Sequence, residues 1–206
     1  MTRIVKRHDH PYHSELRAEQ AEATGERILD ATVRVMAGGL ATLSIPAVAR
    51  EAGVSVPTVY RHFATKSDLL GAVYPFLARR AGVDRMPEPT SVDEFRELIR
   101  TMFGRLDLLG EVARAAFASP GSDESRRLNM PARIASVRRF VASVAPAATE
   151  TERDRITRLL VILASSSAMR MWRDHLGSSV DEAAEDVDWI LRAAIAAGTS
   201  KKGRKA

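Results

Sequence analysis

The chain has 206 residues, 45% hydrophobic, 28% charged and only 5% aromatic, enough for a small domain followed by a larger helical one. It has no cysteine, which excludes disulfides, a thiolate nucleophile and a zinc–thiolate site. The formal charge of +5 is mild, and Lys201, Lys202, Arg204 and Lys205 supply +4 of it, so the basic balance is largely a tail and does not by itself argue for nucleic acid.

Residues 1–23 read as an N-terminal arm, partly disordered. Arg3, Lys6 and Arg7 make it basic, and residues 16–23 are able to extend the first helix. Such an arm can reach a minor groove, but a frayed end is the preferred reading. His8, His10 and His13 lack a regular spacing on one helix face and a supporting acid, so no metal site is expected there. There is no signal-peptide core and no apolar run near the ~20 residues of a membrane helix, so a cytoplasmic location is expected. Thr24 is positioned to cap the first helix, with Ile28, Leu29, Thr32, Val35 and Met36 facing inward and Gly38-Gly39 stopping it.

Residues 44–66 carry the most specific pattern. Ile45, Val48, Ala49 and Ala52 recur at i, i+3, i+4 and i+7, one apolar helical stripe. Ser44 stands at the N-cap, and Pro46 is tolerated because first-turn amides have no partner to lose. Gly53 supplies the left-handed turn. Ser55 caps a second helix with Pro57 in its first turn, and Val59 and Phe63 face back toward the first. Two short helices joined in this way form a helix-turn-helix, whose second helix enters the DNA major groove N-terminus first. Ser44 is included among the DNA contacts. Val56, Pro57 and Thr58 are expected on the exposed first turn to read bases, and Tyr60, His62 and Lys66 to meet phosphates. An ordinary αα-hairpin with a glycine turn shares this spacing.

The residues themselves carry a resemblance. From residue 26 to residue 70 the chain resembles the DNA-binding domain of TetR-family transcriptional repressors. The matching stretches are I-L-D-A in the first helix, V-A-R-E-A-G-V-S in the second and its turn, and T-V-Y-R-H-F-A-T-K-S-D-L-L after it. Tyr60, His62, Phe63 and Lys66 form a specific set within them. The resemblance implies a bacterial, homodimeric, all-α regulator. Its N-terminal three-helix domain, residues 24–70, would bind double-stranded DNA at a roughly palindromic operator. A larger helical-bundle domain, residues 71–198, would bind a small-molecule effector and dimerise. Residues 199–206 would be a basic disordered tail.

Beyond the motif, Thr65 or Ser67 starts a fourth helix with Leu69, Leu70, Val73, Phe76 and Leu77 apolar, and Pro75 within it. Pro87 and Pro89 mark a boundary. Ser91 caps a helix in which Phe95, Leu98, Ile99, Met102, Phe103 and Leu106 keep a 3.6 period. A short helix over residues 111–118 ends at Pro120-Gly121. Residues 122–144 read as helical, with Leu128, Ile134, Val137 and Val141 apolar and Pro131 bending or breaking the helix. Residues 149–176 read as one long helix with two apolar faces. Ile156, Leu159, Leu160, Leu163, Ser167 and Met171 share one; Val161, Ser165, Ala168, Met169, Trp172 and Leu176 share the other. A last helix, capped by Ser179, sets Trp189, Ala193 and Ala196 opposite its main stripe. A helix apolar on two faces is buried on both sides, which suggests a core on one and a partner subunit on the other.

The second face of the long helix, with Trp189, is therefore the expected dimer interface. Effector contacts are expected from Phe95, Leu98, Met102, Phe103, Phe117, Met130, Ile134, Val137, Leu160, Leu163, Ser167 and Met171, each of which also fits ordinary core. No phosphate-binding glycine loop, H-E-x-x-H or G-x-S-x-G motif occurs, and Ser165-Ser166-Ser167 has helical flanks, so neither catalysis nor a cofactor is expected. The reading is a ligand-responsive repressor that releases its operator when a small, largely apolar molecule binds. The competing reading is a helical small-molecule-binding protein or enzyme with an incidental helix-turn-helix.

Overall fold

The structure, a computed structural model, describes residues 11–38 and 43–200, with side chains for 15–38 and 43–197. Residues 1–10 of the arm, with Arg3, Lys6, Arg7, His8 and His10, the His13 side chain, and residues 39–42 and 201–206 lie outside that description. Among the described residues every regular element is helical.

The first helix, α1, runs Pro11–Ala37. It therefore begins well before Thr24, which does not cap it. The Thr24 hydroxyl instead donates to the Gln20 carbonyl one turn back at 2.8 Å, a local bond that a mid-helix threonine makes readily. Residues 16–23 are exposed and carry only Leu16 as a large apolar side chain, so no inward stripe marks the helix there.

Three helices follow: α2 (Ile45–Ala52), α3 (Val56–His62) and α4 (Lys66–Ala81). Ile28 and Leu29 of α1, Val48 of α2, Val59 of α3 and Leu69, Leu70, Val73, Phe76 and Leu77 of α4 form one buried cluster. Thr65 caps α4 in a reciprocal box with Asp68, satisfying two amides that the helix start leaves open. Pro75 sits inside α4 without ending it. The expected division between residues 70 and 71 falls in the middle of α4, whose buried face is continuous across it. Ala113 and Ala116 of α6 (Gly110–Ala118) belong to the same cluster, so α6 packs on the head as well. Gly121 opens the next helix against Met36; a Cβ there would lie 3.2 Å from Met36 Cγ.

The second cluster joins α5 (Val92–Asp107) to α10 (Val180–Ser200). Phe95, Ile99 and Phe103 pack against Ala183, Ala184, Val187 and Leu191, and Phe95 stacks on Phe140 with centroids 4.5 Å apart. The pairs Arg100–Asp181 at 2.8 Å and Arg192–Asp93 at 2.7 Å show that the helices run antiparallel. Such exposed pairs contribute about 0–1 kcal/mol each, so apolar burial holds this contact.

Between the clusters lies α7 (Pro120–Val144), which packs on α4 on one side and α8 (Glu150–Leu163) on the other. Of the bend or break expected at Pro131, a break does not occur, and α7 is continuous. Pro131 and Arg127, whose carbonyl loses its amide partner, are both exposed, so water can replace the lost bond. Leu128 and Ile134, read from the sequence as apolar positions of this helix, are exposed.

The single long helix expected over residues 149–176 is broken. Thr149 caps α8, which ends at Leu163; α9 (Ser166–Arg170) follows, continued by a π-helical turn over Met171–His175. Ser165 makes the break. Its hydroxyl accepts the Ala168 amide at 3.0 Å as an N-cap and donates to the Ile162 carbonyl at 2.7 Å. The Arg133 guanidinium donates to the Ala164 carbonyl, meeting an acceptor at the end of α8.

Two stability results should follow. Leu69→Ala should cost about 2–5 kcal/mol in urea unfolding, because it empties a fully buried site in the cluster that carries the helix-turn-helix. Ser165→Ala should cost about 1 kcal/mol by loss of the α9 cap; an unchanged midpoint would remove Ser165 as the cause of the break.

Candidate nucleic-acid interface and interior cavity

The helix-turn-helix is built by two serine caps and one glycine. The Ser44 hydroxyl accepts the Ala47 amide at 3.3 Å. Gly53 adopts φ 65°, its amide donating to Arg50 O at 3.2 Å and the Val54 amide to Ala49 O at 2.9 Å. The Ser55 hydroxyl accepts the Thr58 amide at 3.2 Å and shares a 2.9 Å bond with the Thr58 hydroxyl. Val59 is fully buried, which fixes which side of α3 faces outward.

That outward side carries Pro57, Tyr60 (48% exposed) and, at the start of α4, Lys66. The exposed first turn expected for Val56, Pro57 and Thr58 holds only for Pro57. Val56 is half-buried and packs on the head's core, and the half-buried Thr58 hydroxyl is engaged by Ser55. His62 is also half-buried. It turns toward α1, where a Cβ on Gly25 would lie 3.5 Å from its Nδ1. Arg61, not singled out by the sequence reading, is exposed four residues after Pro57 and so shares its helix face. That spacing was available as a signal. Arg34, tied to Asp30 and to Glu51 at 2.6 Å, braces α1 against α2, and Arg80 reaches the same Asp30 from α4.

The residues expected to hold an effector are not gathered into one pocket. Phe95, Phe103 and Leu160 are buried in the second cluster, with Leu98, Met102, Val137 and Leu163 packed at its edge. Ile134 and Met171 are exposed, and Ser167 is half-buried without lining a cavity described here. Of the set, Met130 and Phe117 line interior space. Met130 borders a cavity of about 40 Å³ between α4, α7 and the α8–α9 break. Tyr74, Arg126, Asn129, Arg133, Val161, Ser165 and Ser166 complete its wall. Two cavities of about 10 Å³ adjoin it through the shared Ser166, and Phe117 lines both. Cavities of this size hold a few waters, against the roughly 300 Å³ or more of a typical ligand site. The Asn129 amide donates to the Gly71 carbonyl at 3.1 Å, bridging α7 to α4 beside the cavity. Sequence periodicity missed Tyr74, Arg126, Asn129 and Arg133, because a cavity between non-consecutive helices has no linear signature.

The expected dimer face is likewise redistributed. Val161 and Ser165 line the interior cavity, Met169 is buried in the second cluster, Trp172 packs against that cluster and Ala168 is half-buried. The break at Ser165 explains the error, because a continuous 100° projection does not carry across it. Only Leu176 (65%) and Trp189 (70%) of the set are well exposed, joined by Leu159 and Ile162 (63%) on α8. Among the described residues no group of three histidine, cysteine or acidic side chains could hold a metal, and no helix is long and apolar enough to cross a membrane.

Residues 28–73, from α1 into the middle of α4, match the family described as bacterial regulatory proteins, tetR family. No curated protein matches the chain. Among solved structures, a TetR-family transcriptional regulator from Streptomyces coelicolor superposes with a TM-score of 0.53 and 21% identity over 85% of this chain and 99% of that one, which establishes the shared fold. The multidrug binding protein EbrR complexed with imidazole superposes with a TM-score of 0.48 and 20% identity over 82% of this chain and 93% of that one. The capped helix-turn-helix thus lies within a stretch that matches the tetR-family regulatory proteins, and the all-helical body shares the fold of a TetR-family regulator.

Proposed function

We propose that the protein is a homodimeric repressor that leaves its operator when a small molecule enters the space between α4 and α7. The observation that carries this reading is the position of α4. The same helix begins at the recognition element through Thr65 and lines the interior cavity through Tyr74. A ligand that widens the cavity would move α4, and with it α3. The ligand then acts only through its different affinity for the two arrangements of the head. Two recognition helices related by a two-fold axis would sit about 34–36 Å apart, one DNA turn, and require a roughly palindromic site.

Within the DNA face, Tyr60, Arg61 and Lys66 are assigned to phosphates and Pro57 to apolar contact with base edges, with Ser44, Val56, Thr58 and His62 acting chiefly to hold the geometry. For the dimer, the exposed Ile162 and Trp189 are proposed to face the partner, since apolar groups this exposed on α8 and α10 mark an interaction surface.

Selection of bound sequences from random DNA should enrich a palindrome; enrichment of none would overturn the reading. On that site, Lys66→Ala should weaken binding across all sequences and lower the salt slope by about one. Tyr60→Phe should also weaken binding without changing preference. An unchanged slope for Lys66→Ala would remove it from the phosphate contacts. Trp189→Glu should give monomers in sedimentation and lose operator binding with the head folded, because a desolvated carboxylate opposes association. A stable dimer of that variant would place the interface elsewhere.

A further inference from the structure

The interior cavity has two guanidiniums in its wall, and neither is fully satisfied. Arg133 donates through Nη2 to the carbonyls of Ala164 and, at 3.5 Å, Val161. Among the described residues no carboxylate lies within ion-pair distance of it. Arg126 donates through Nη1 to Asp123 at 2.6 Å and through Nη2 to the Phe117 carbonyl and the Ser122 hydroxyl, both at 2.7 Å. The Nε of each is buried without a hydrogen-bond partner. A shielded cation whose only acceptors are carbonyl dipoles is costly, and an anion reduces that cost. Guanidinium also matches carboxylate and phosphate in a two-pronged geometry that an ammonium does not. In the rest of the wall Met130 and Val161 supply apolar surface beside Tyr74, Asn129, Ser165 and Ser166.

We infer that the effector is a small amphipathic oxyanion, a carboxylate or phosphate head on a short apolar body, with the head at Arg133 and Arg126 and the body against Met130 and Val161. This rests on the ligand-responsive reading above and names the chemistry of that site. The cavity of about 40 Å³ is too small for such a body, so binding widens the gap between α4 and α7. The Asn129 bond to Gly71 O lies across that gap and is the contact that opening loosens.

Four probes of one chain length test the inference by calorimetry on the full chain: octanoate, octyl phosphate, octanol and octylamine. At least one of the two oxyanions should bind about tenfold or more tightly than octanol, with octylamine weaker still; the stronger of octanoate and octyl phosphate identifies the head. In Arg133→Gln that advantage over octanol should largely vanish while octanol binding stays unchanged. A purely structural Arg133 would weaken all four alike. Should Arg133→Gln fail to fold, Arg126→Gln carries the same comparison. The inference is overturned if octanol matches both oxyanions, if neither oxyanion binds, or if the folded variant keeps the full preference. Operator release is read separately. Oxyanion binding without release would sink the regulatory reading and leave the site standing, whereas operator binding with no oxyanion bound would sink the site alone.

Discussion

The buried face of α4 is the constraint on which the rest of the molecule depends. Leu69, Leu70, Val73, Phe76 and Leu77 are buried in one cluster with α1, α2, α3 and α6. Each such side chain contributes about 1.5–3 kcal/mol by leaving water. Because these residues lie on one helix, the recognition element and the body cannot shift independently. The capping box at Thr65 fixes where α4 begins and therefore where α3 ends, since only Phe63 and Ala64 lie between α3 and that cap. The short α3, 7 residues long, has too few turns to be stable alone, and Val59 in the shared cluster is what holds it.

Around α4 the packing divides unevenly. The face toward α1 is apolar and lies in the buried cluster, to which α6 adds Ala113 and Ala116 by packing on α1. The face toward α7 carries polar groups: Tyr74 at the cavity and the Gly71 carbonyl bonded to Asn129. Burial in the first cluster holds one face, while the other, the more extensive contact, adds directional hydrogen bonds to its packing.

Arg133 links two features that otherwise look separate. The α8 break exposes carbonyls near Ser165, and the guanidinium that meets them comes from α7, across the cavity wall. The serine-rich stretch that could suggest a nucleophile is instead a helix start: Ser165 caps α9 and Ser166 is its first residue. Small hydroxylated side chains suit that role because they accept a backbone amide without crowding the neighbouring turn.

The local chemistry of the head could be read from the sequence alone. Ser44, Gly53, Ser55 and Thr65 act within three or four residues of themselves, and their partners are adjacent in the chain. The apolar periods of α2, α4 and α5 predicted the inward faces, with Ala52, Leu98 and Met102 at their half-buried edges, because each stripe faces a single core. The sequence could not show where periodicity ends or what several helices enclose together. Continuity through Pro131 depends on its exposure to water, and the break at Ser165 on a choice between competing hydrogen bonds. Beyond that break Met169 is buried in the second core and Trp172 packs against it, while Leu176 is exposed. The cavity required side chains from α4, α7, α8 and α9 to meet, and such a meeting is set by packing between distant segments, which only the tertiary structure decides.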